Sequence, residues 1–228
     1  MIAIKKWIPF LILFILISCN SLLGRYLYKS PPSETLKSPP SSTTLRLAAL
    51  DEHALASYWT NFYVQLADVH LHTELRDLDY RKVEHWLALA QELNSKSSYS
   101  LMLASRFFGE LGSESDRKRM LEYVYIEYLK NPNTAWPWMA HATFVAHHGL
   151  RDLTLALKFA QALREKSGPS TPAWAKQMEI FILEDMDELT AAKILLGNLF
   201  ISGQFHNTQD FLLMQKRLED LKKRVDQR

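Results

Sequence analysis

Residue types able to do chemistry are few in this chain, and they are clustered. Among eight histidines, His141 and His148 lie seven positions apart, two turns along one helix face, with His147 beside them and His70 and His72 upstream. Imidazoles on one face raise the question of zinc, but helical ligand pairs sit four apart as in H-E-x-x-H, and no carboxylate stands at a ligand position within this stretch. They read as surface or interface histidines, with no metal site and no cofactor. The acidic run Glu184, Asp185, Asp187 and Glu188 is a second candidate, as a cation site or acid/base pair. It falls at a predicted helix-to-helix turn, where a helix N-terminus favours negative charge by roughly 0.3–1 kcal/mol. No G-x-S-x-G elbow, phosphate-cradling glycine loop or Cys/His pair occurs, and seven scattered glycines make no dinucleotide fingerprint. Without a convergent acid, base and nucleophile the chain reads as a non-enzyme.

Composition narrows the classes further. The 228 residues are 47% hydrophobic and 11% aromatic, enough for a continuous core. A net charge of +2, from 27 basic and 25 acidic residues, gives no excess for nucleic-acid binding. The single cysteine, Cys19, excludes an internal disulfide and a cysteine-ligated zinc. It closes an apolar run from Trp7 to Ile17 that comes after Lys5 and Lys6, the layout of a secretory signal. Leu16, Ile17, Ser18 and Cys19 resemble the lipobox of bacterial lipoproteins, which implies cleavage before Cys19 and lipid attachment there. The alternative is an uncleaved anchor from Trp7 to Leu23, near the lower limit of ~17 residues for spanning hydrocarbon. Because short basic flanks stay inside, either attachment places residues 25–228 on the periplasmic or extracytoplasmic side.

Helices must position these residues, and the chain announces them in order. Lys29 to Thr44 holds two Pro-Pro steps among hydroxyl residues, with no apolar face to bury, and reads as a tether reaching up to ~50 Å. The expected organisation is a signal or anchor at 1–24, a Pro/Ser/Thr-rich linker at 25–50 and a helical domain at 51–228. That domain repeats itself. Stepping back 37 positions from the stretch Thr134 to Gly149 carries Trp136 onto Tyr99, Met139 onto Met102, Phe144 onto Phe107 and Gly149 onto Gly112, and stepping forward carries Phe144 onto Phe181. Such a period signals a solenoid. Thr134 is the expected N-cap of the central helix, Pro137 its first-turn residue and Gly149 its end; Trp138, Ala142, Val145 and Ala146 form the buried face. Asp79, Ser113, Thr171 and Asp187 stand where further N-caps are wanted. The periodic aromatics Tyr99, Phe107, Trp136, Trp138, Phe144, Trp174 and Phe181 read mostly as core.

These helix pairs resemble the tetratricopeptide repeat family. Val83, Leu87 and Ala90 precede Asn94; Met120 and Val124 precede Asn131 and Pro132; Leu155, Phe159 and Ala162 precede Gly168 and Pro169. The resemblance implies an all-α, right-handed solenoid of about four helical hairpins, closed by a capping helix at Thr208 to Val225. In that family the first helices line a concave groove, which would place Arg106, His141, His148, Lys176 and Gln177 at a peptide, with Arg106 and Lys176 as a clamp for an acidic group. The function so implied is a membrane-tethered scaffold that binds another protein and helps assemble or retain a bacterial envelope complex. The alternative is a binding protein or accessory subunit for a small ligand, held on the aromatic and histidine face of the central helices.

Overall fold

The computed structural model describes residues 13–19, 33–201 and 208–227, and the chain forms two compact units, Met1–Glu34 and Thr35–Arg228. In the first unit residues 13–19 are helical, and Cys19 is exposed. Most of the expected signal or anchor lies outside the described residues. Among those described, no helix is long and apolar enough to cross a membrane.

The second unit is helical throughout, with no strand among its described residues. It runs α1 (Ser42–Ala48), α2 (His53–Gln65), α3 (Ala67–Leu71), α4 (Tyr80–Leu93), α5 (Tyr99–Met102), α6 (Glu114–Lys130), α7 (Pro132–Phe144), α8 (Leu153–Lys166), α9 (Ala173–Lys176), α10 (Met178–Asp185), α11 (Leu189–Ile201) and α12 (Thr208–Asp226). Helix α5 continues as a π-helical turn, Leu103–Phe107, and a 3-10 turn, Phe108–Glu110; α7 continues as a π-helical turn, Val145–Gly149. A π turn occurs in both segments, but 42 positions apart, five out of step with the 37-residue spacing of the apolar residues, which does not signal either turn. Packing keeps to chain order: α2 on α4, α6 on α7, α7 on α8, α10 on α11 and α11 on α12. One large core, with Tyr80, Phe108, Met120, Tyr128, Met139 and Phe159 at its centre, runs from α2 to α10. A second gathers Ile180, Leu189, Leu196, Met214 and Leu221 from α10 to α12.

Local chemistry sets the helix starts. Ser113 caps α6 in a capping box with Asp116, Asp79 accepts from the N–H of Arg81, and Asp152 accepts from Leu155 N–H at 2.9 Å. Other expected caps move. Helix α7 starts at Pro132 with Asn131 before it, so Thr134 lies inside the first turn and Pro137 inside the helix; Pro132 takes the first helical position, where a missing N–H costs nothing. Thr171 precedes α9 but makes no cap, and its hydroxyl is buried without a partner. Asp187 holds a left-handed backbone (φ 65°) one residue before the N-terminal flank of α11, as Gly112 (φ 77°) does before Ser113 and Arg151 (φ 56°) before Asp152. Three joints thus share one conformation. Gly149 is not the left-handed residue at its joint; Arg151 is.

The aromatic register also shifts. Alanines, Met139 and Thr143 fill the buried face of α7, letting its neighbours approach so closely that Trp138 is left half-buried at the core rim. None of the seven periodic aromatics is fully buried, and Phe144 and Trp174 are more than half exposed. Phe108, Tyr128 and Phe159 occupy the interior instead.

The tether ends early. Leu36 is buried in the main core; its carbonyl accepts from Lys82 Nζ at 2.8 Å, and the carbonyl of Lys37 accepts from Trp86 Nε1 at 2.9 Å, so α4 binds the chain before α1 begins. Part of the expected linker is therefore folded structure.

Candidate functional site

The π turn at the end of α7 brings consecutive histidines to one side. An extra residue in a helical turn changes the direction of the side chains beyond it, so His147 and His148 lie with ring centroids 4.0 Å apart and His147 Nδ1 2.9 Å from His148 Nε2. From α10, Asp185 places a carboxylate oxygen 2.8 Å from His147 Nε2. An ionised carboxylate only accepts, so His147 donates from Nε2; with that ring neutral its Nδ1 accepts from His148 Nε2–H, and His148 Nδ1 carries a lone pair. Asp185 thereby sets the tautomer of a histidine it does not touch. Phe144 lies against His148, with centroids 4.6 Å apart.

These groups edge a cavity of about 360 Å³ whose apolar walls are Phe144, Met178, Phe181 and Ile182. Arg217 of α12 closes one side, its guanidinium carbon 4.1 Å from the centre of the Phe181 ring and its Nε bonded to Glu184. Glu184 also accepts from Arg224 Nη1 at 3.2 Å. Only the second half of the acidic run is helix N-terminal charge, with Asp187 and Glu188 preceding α11; Glu184 and Asp185 sit at the C-terminus of α10, where the dipole disfavours anions, and cationic or imidazole partners from α7 and α12 offset it. The Thr143 hydroxyl, at the cavity wall, is committed to the Met139 carbonyl at 2.8 Å. What the arrangement can do is hold the apolar part of a ligand and accept a hydrogen bond from a polar N–H or O–H that the ligand also carries.

The remaining expected site residues are spread along the first helices. His141 is half-buried, its Nδ1 3.3 Å from Ser105 Oγ and its Nε2 3.6 Å from Glu110. Burial, reinforced by Arg106, pushes its pKa below the usual histidine value, and Glu110 opposes this. Arg106 is exposed and Lys176 half-buried. Gln177 is buried at the joint between α9 and α10, where its N–H bonds Ala173 and Trp174 carbonyls, so it presents nothing to a groove. Among the described residues no set of three or more His, Cys, Asp or Glu side chains could hold a metal. Sequence reasoning missed Asp185 and Arg217 as partners of this site, because the contacts join helices whose relative register only packing sets.

No protein-family model matches the chain, and no curated protein or solved structure is significantly similar to it.

Proposed function

We propose that this chain is a non-catalytic, membrane-tethered scaffold, a tetratricopeptide-like solenoid of about four helix pairs whose first helices hold a segment of another protein. The observation that carries this reading is a ladder of side-chain bonds between residues one repeat apart. Tyr99 bonds Gln65 (34 apart), Arg119 bonds Glu84 (35), Ser105 bonds His141 (36), Lys158 bonds Glu122 (36), and Tyr128 donates to the Ala162 carbonyl (34). A stack in which equivalent positions lie over one another produces this pattern. The shared left-handed joints at Gly112, Arg151 and Asp187 support the same stacking. A repeat surface without a convergent set of reactive groups suits binding.

Within that reading Arg106 and Lys176 are the clamp for an acidic segment, with His141 and His148 between them. The test is capture from intact cells after crosslinking. Reversing both charges, Arg106→Glu with Lys176→Glu, is expected to reduce capture; exposed Arg106→Glu alone should change stability by no more than about 0.5 kcal/mol, and the melting curve of half-buried Lys176→Glu is measured beside it. High salt should imitate the variant, because screening shortens to about 3 Å at 1 M. Equal capture at every salt concentration would remove both residues from the site. Lipid attachment at Cys19, which would hold the scaffold at the bacterial envelope, is read directly by mass spectrometry of the mature N-terminus; an intact Met1 would leave the uncleaved anchor.

A second reading is favoured by the cavity between α7 and α10. Its volume, about 360 Å³, falls within the ~300–1,000 Å³ of small-molecule sites. An apolar small molecule that shifts the His148 ring resonances would support it.

A further inference from the structure

We propose that the outward face of α2 rests in the headgroup–acyl boundary of a lipid bilayer; this rests on the membrane-tethered reading above. Helix α2, HALASYWTNFYVQ, contains no Asp, Glu, Lys or Arg, and its polarity is reversed. Its buried residues are Ala56, Ser57, Thr60, Asn61 and Val64; their inward donors are met by backbone, Ser57 Oγ donating to the Ala90 carbonyl at 2.7 Å, Thr60 Oγ1 to Ala56 at 2.7 Å and Asn61 Nδ2 to Ser57 at 3.1 Å, while Asn61 Oδ1 is buried without a partner. Its large rings point out. Tyr58, Trp59 and Phe62 are 55%, 46% and 45% exposed, with Tyr58 and Phe62 stacked at 5.8 Å.

The turn leading into α2 continues the pattern. Leu50 is 89% exposed and held at φ 53°, a conformation that side chains rarely adopt, so this turn spends backbone strain to present a leucine to the outside. Exposed rings concentrated on one helix, with an exposed leucine in the turn before it, mark a docking surface. Its composition selects lipid: Trp and Tyr are the residue types that collect where an apolar phase meets water, and no cluster of charges is available to read a protein partner. The near acids are Asp51, paired with Arg46 at 2.8 Å, and exposed Glu52 at the N-terminal flank of α2, so the surface has no positive excess and should not need anionic headgroups.

Chain length supplies the second argument. Leu36 and Lys37 are fixed to α4, the helix on which α2 packs. Between Leu23, where the apolar N-terminal run ends, and Leu36 the chain can span at most about 3.3–3.6 Å per residue, roughly 45 Å. A membrane attachment upstream of Leu36 is thus connected to the folded unit at α4, the helix that carries α2.

The full chain, reconstituted in phosphatidylcholine vesicles with and without bromine on the acyl chains near the headgroup, tests this through its tryptophan emission. Bromine quenches on contact, and the emission lost in Trp59→Phe isolates the signal of Trp59. That difference signal is expected to lose most of its intensity in brominated vesicles, with the melting temperature of the variant unchanged. In the precursor, which keeps Met1, the corresponding difference for Trp7→Phe reports the N-terminal attachment separately; for a chain cleaved before Cys19 the lipid found there by mass spectrometry takes the place of that signal. Trp7 quenched with Trp59 unquenched overturns the α2 contact and leaves the tether standing; neither quenched overturns both; Trp59 quenched alone supports the contact without the tether. Should Trp59 be shielded from aqueous acrylamide yet unquenched by bromine, a protein covers α2 and the lipid assignment fails.

Discussion

At the scale of single residues, His141 is the group whose surroundings most clearly shape its chemistry. Burial comes first and outweighs the opposing Glu110 carboxylate, and Arg106 adds to it, so the imidazolium is disfavoured in the folded state. The unfolded chain therefore binds a proton more readily, which fixes the sign: this histidine leaves stability unchanged well above pH ~6.5 and lowers it as pH falls below that value, until the folded group also titrates. Urea midpoints measured between neutral and mildly acidic pH should fall less for His141→Gln than for the natural chain. The position of His141 on the α7 face was legible from its spacing to His148. Its partners Ser105 and Glu110 were not, because they arrive from the π turn after α5 and the 3-10 turn beyond it, across a contact that no local pattern encodes. The same holds for Asp185, whose acidic neighbourhood suggests helix-end charge until the meeting of α7 and α10 gives it a histidine partner.

At the scale of elements, the joints before α6, α8 and α11 offer a paired test. A side chain at Gly112 would meet both a left-handed backbone and the Tyr80 ring at 2.9 Å, so Gly112→Ala is expected to cost more than the ~1–2 kcal/mol of the conformation alone. Arg151 already bears that conformation, and Arg151→Gly should raise the melting temperature by a gain of up to about 1 kcal/mol. Opposite signs at equivalent joints would be hard to obtain unless the joints share one geometry. Trp138 gives a third measurement: fully buried aromatics cost ~3–5 kcal/mol when cut to alanine, so half-buried Trp138 should cost less than Phe159, whose ring is fully enclosed. The existence and order of the main helices were legible from the period and from the caps at Asp79 and Ser113, whereas the caps expected at Thr134 and Thr171 were not formed. Helix phase was not, because small residues decide how close two helices come, and that distance decides which large side chain is squeezed to the rim.

At the scale of the folded unit, three core clusters share the packing: the large one, a second that holds α11 and α12, and a small one of Ala49, Ala56, Leu89 and Leu93 between α2 and α4. In a stack each element gains stability only from its neighbours, so the end with fewer of them opens first. Amide exchange should accordingly be faster across Leu189–Ile201 and Thr208–Asp226 than across Glu114–Lys130 and Leu153–Lys166. Neutralising Glu184 should widen the difference, because that carboxylate ties α12 to α10 through Arg217 and Arg224. The opposite end is secured differently. Pull on the chain from its N-terminus, and the load enters the unit at Leu36 and Lys37, clamped to Lys82 and Trp86 of α4. Helices α1 and α2 come later along the chain and bear none of that load while the clamp holds, so the weakest short helix is not the one first peeled away. The attachment point is thus a mechanical strain relief, like the grip that keeps a cable's tension off its solder joint.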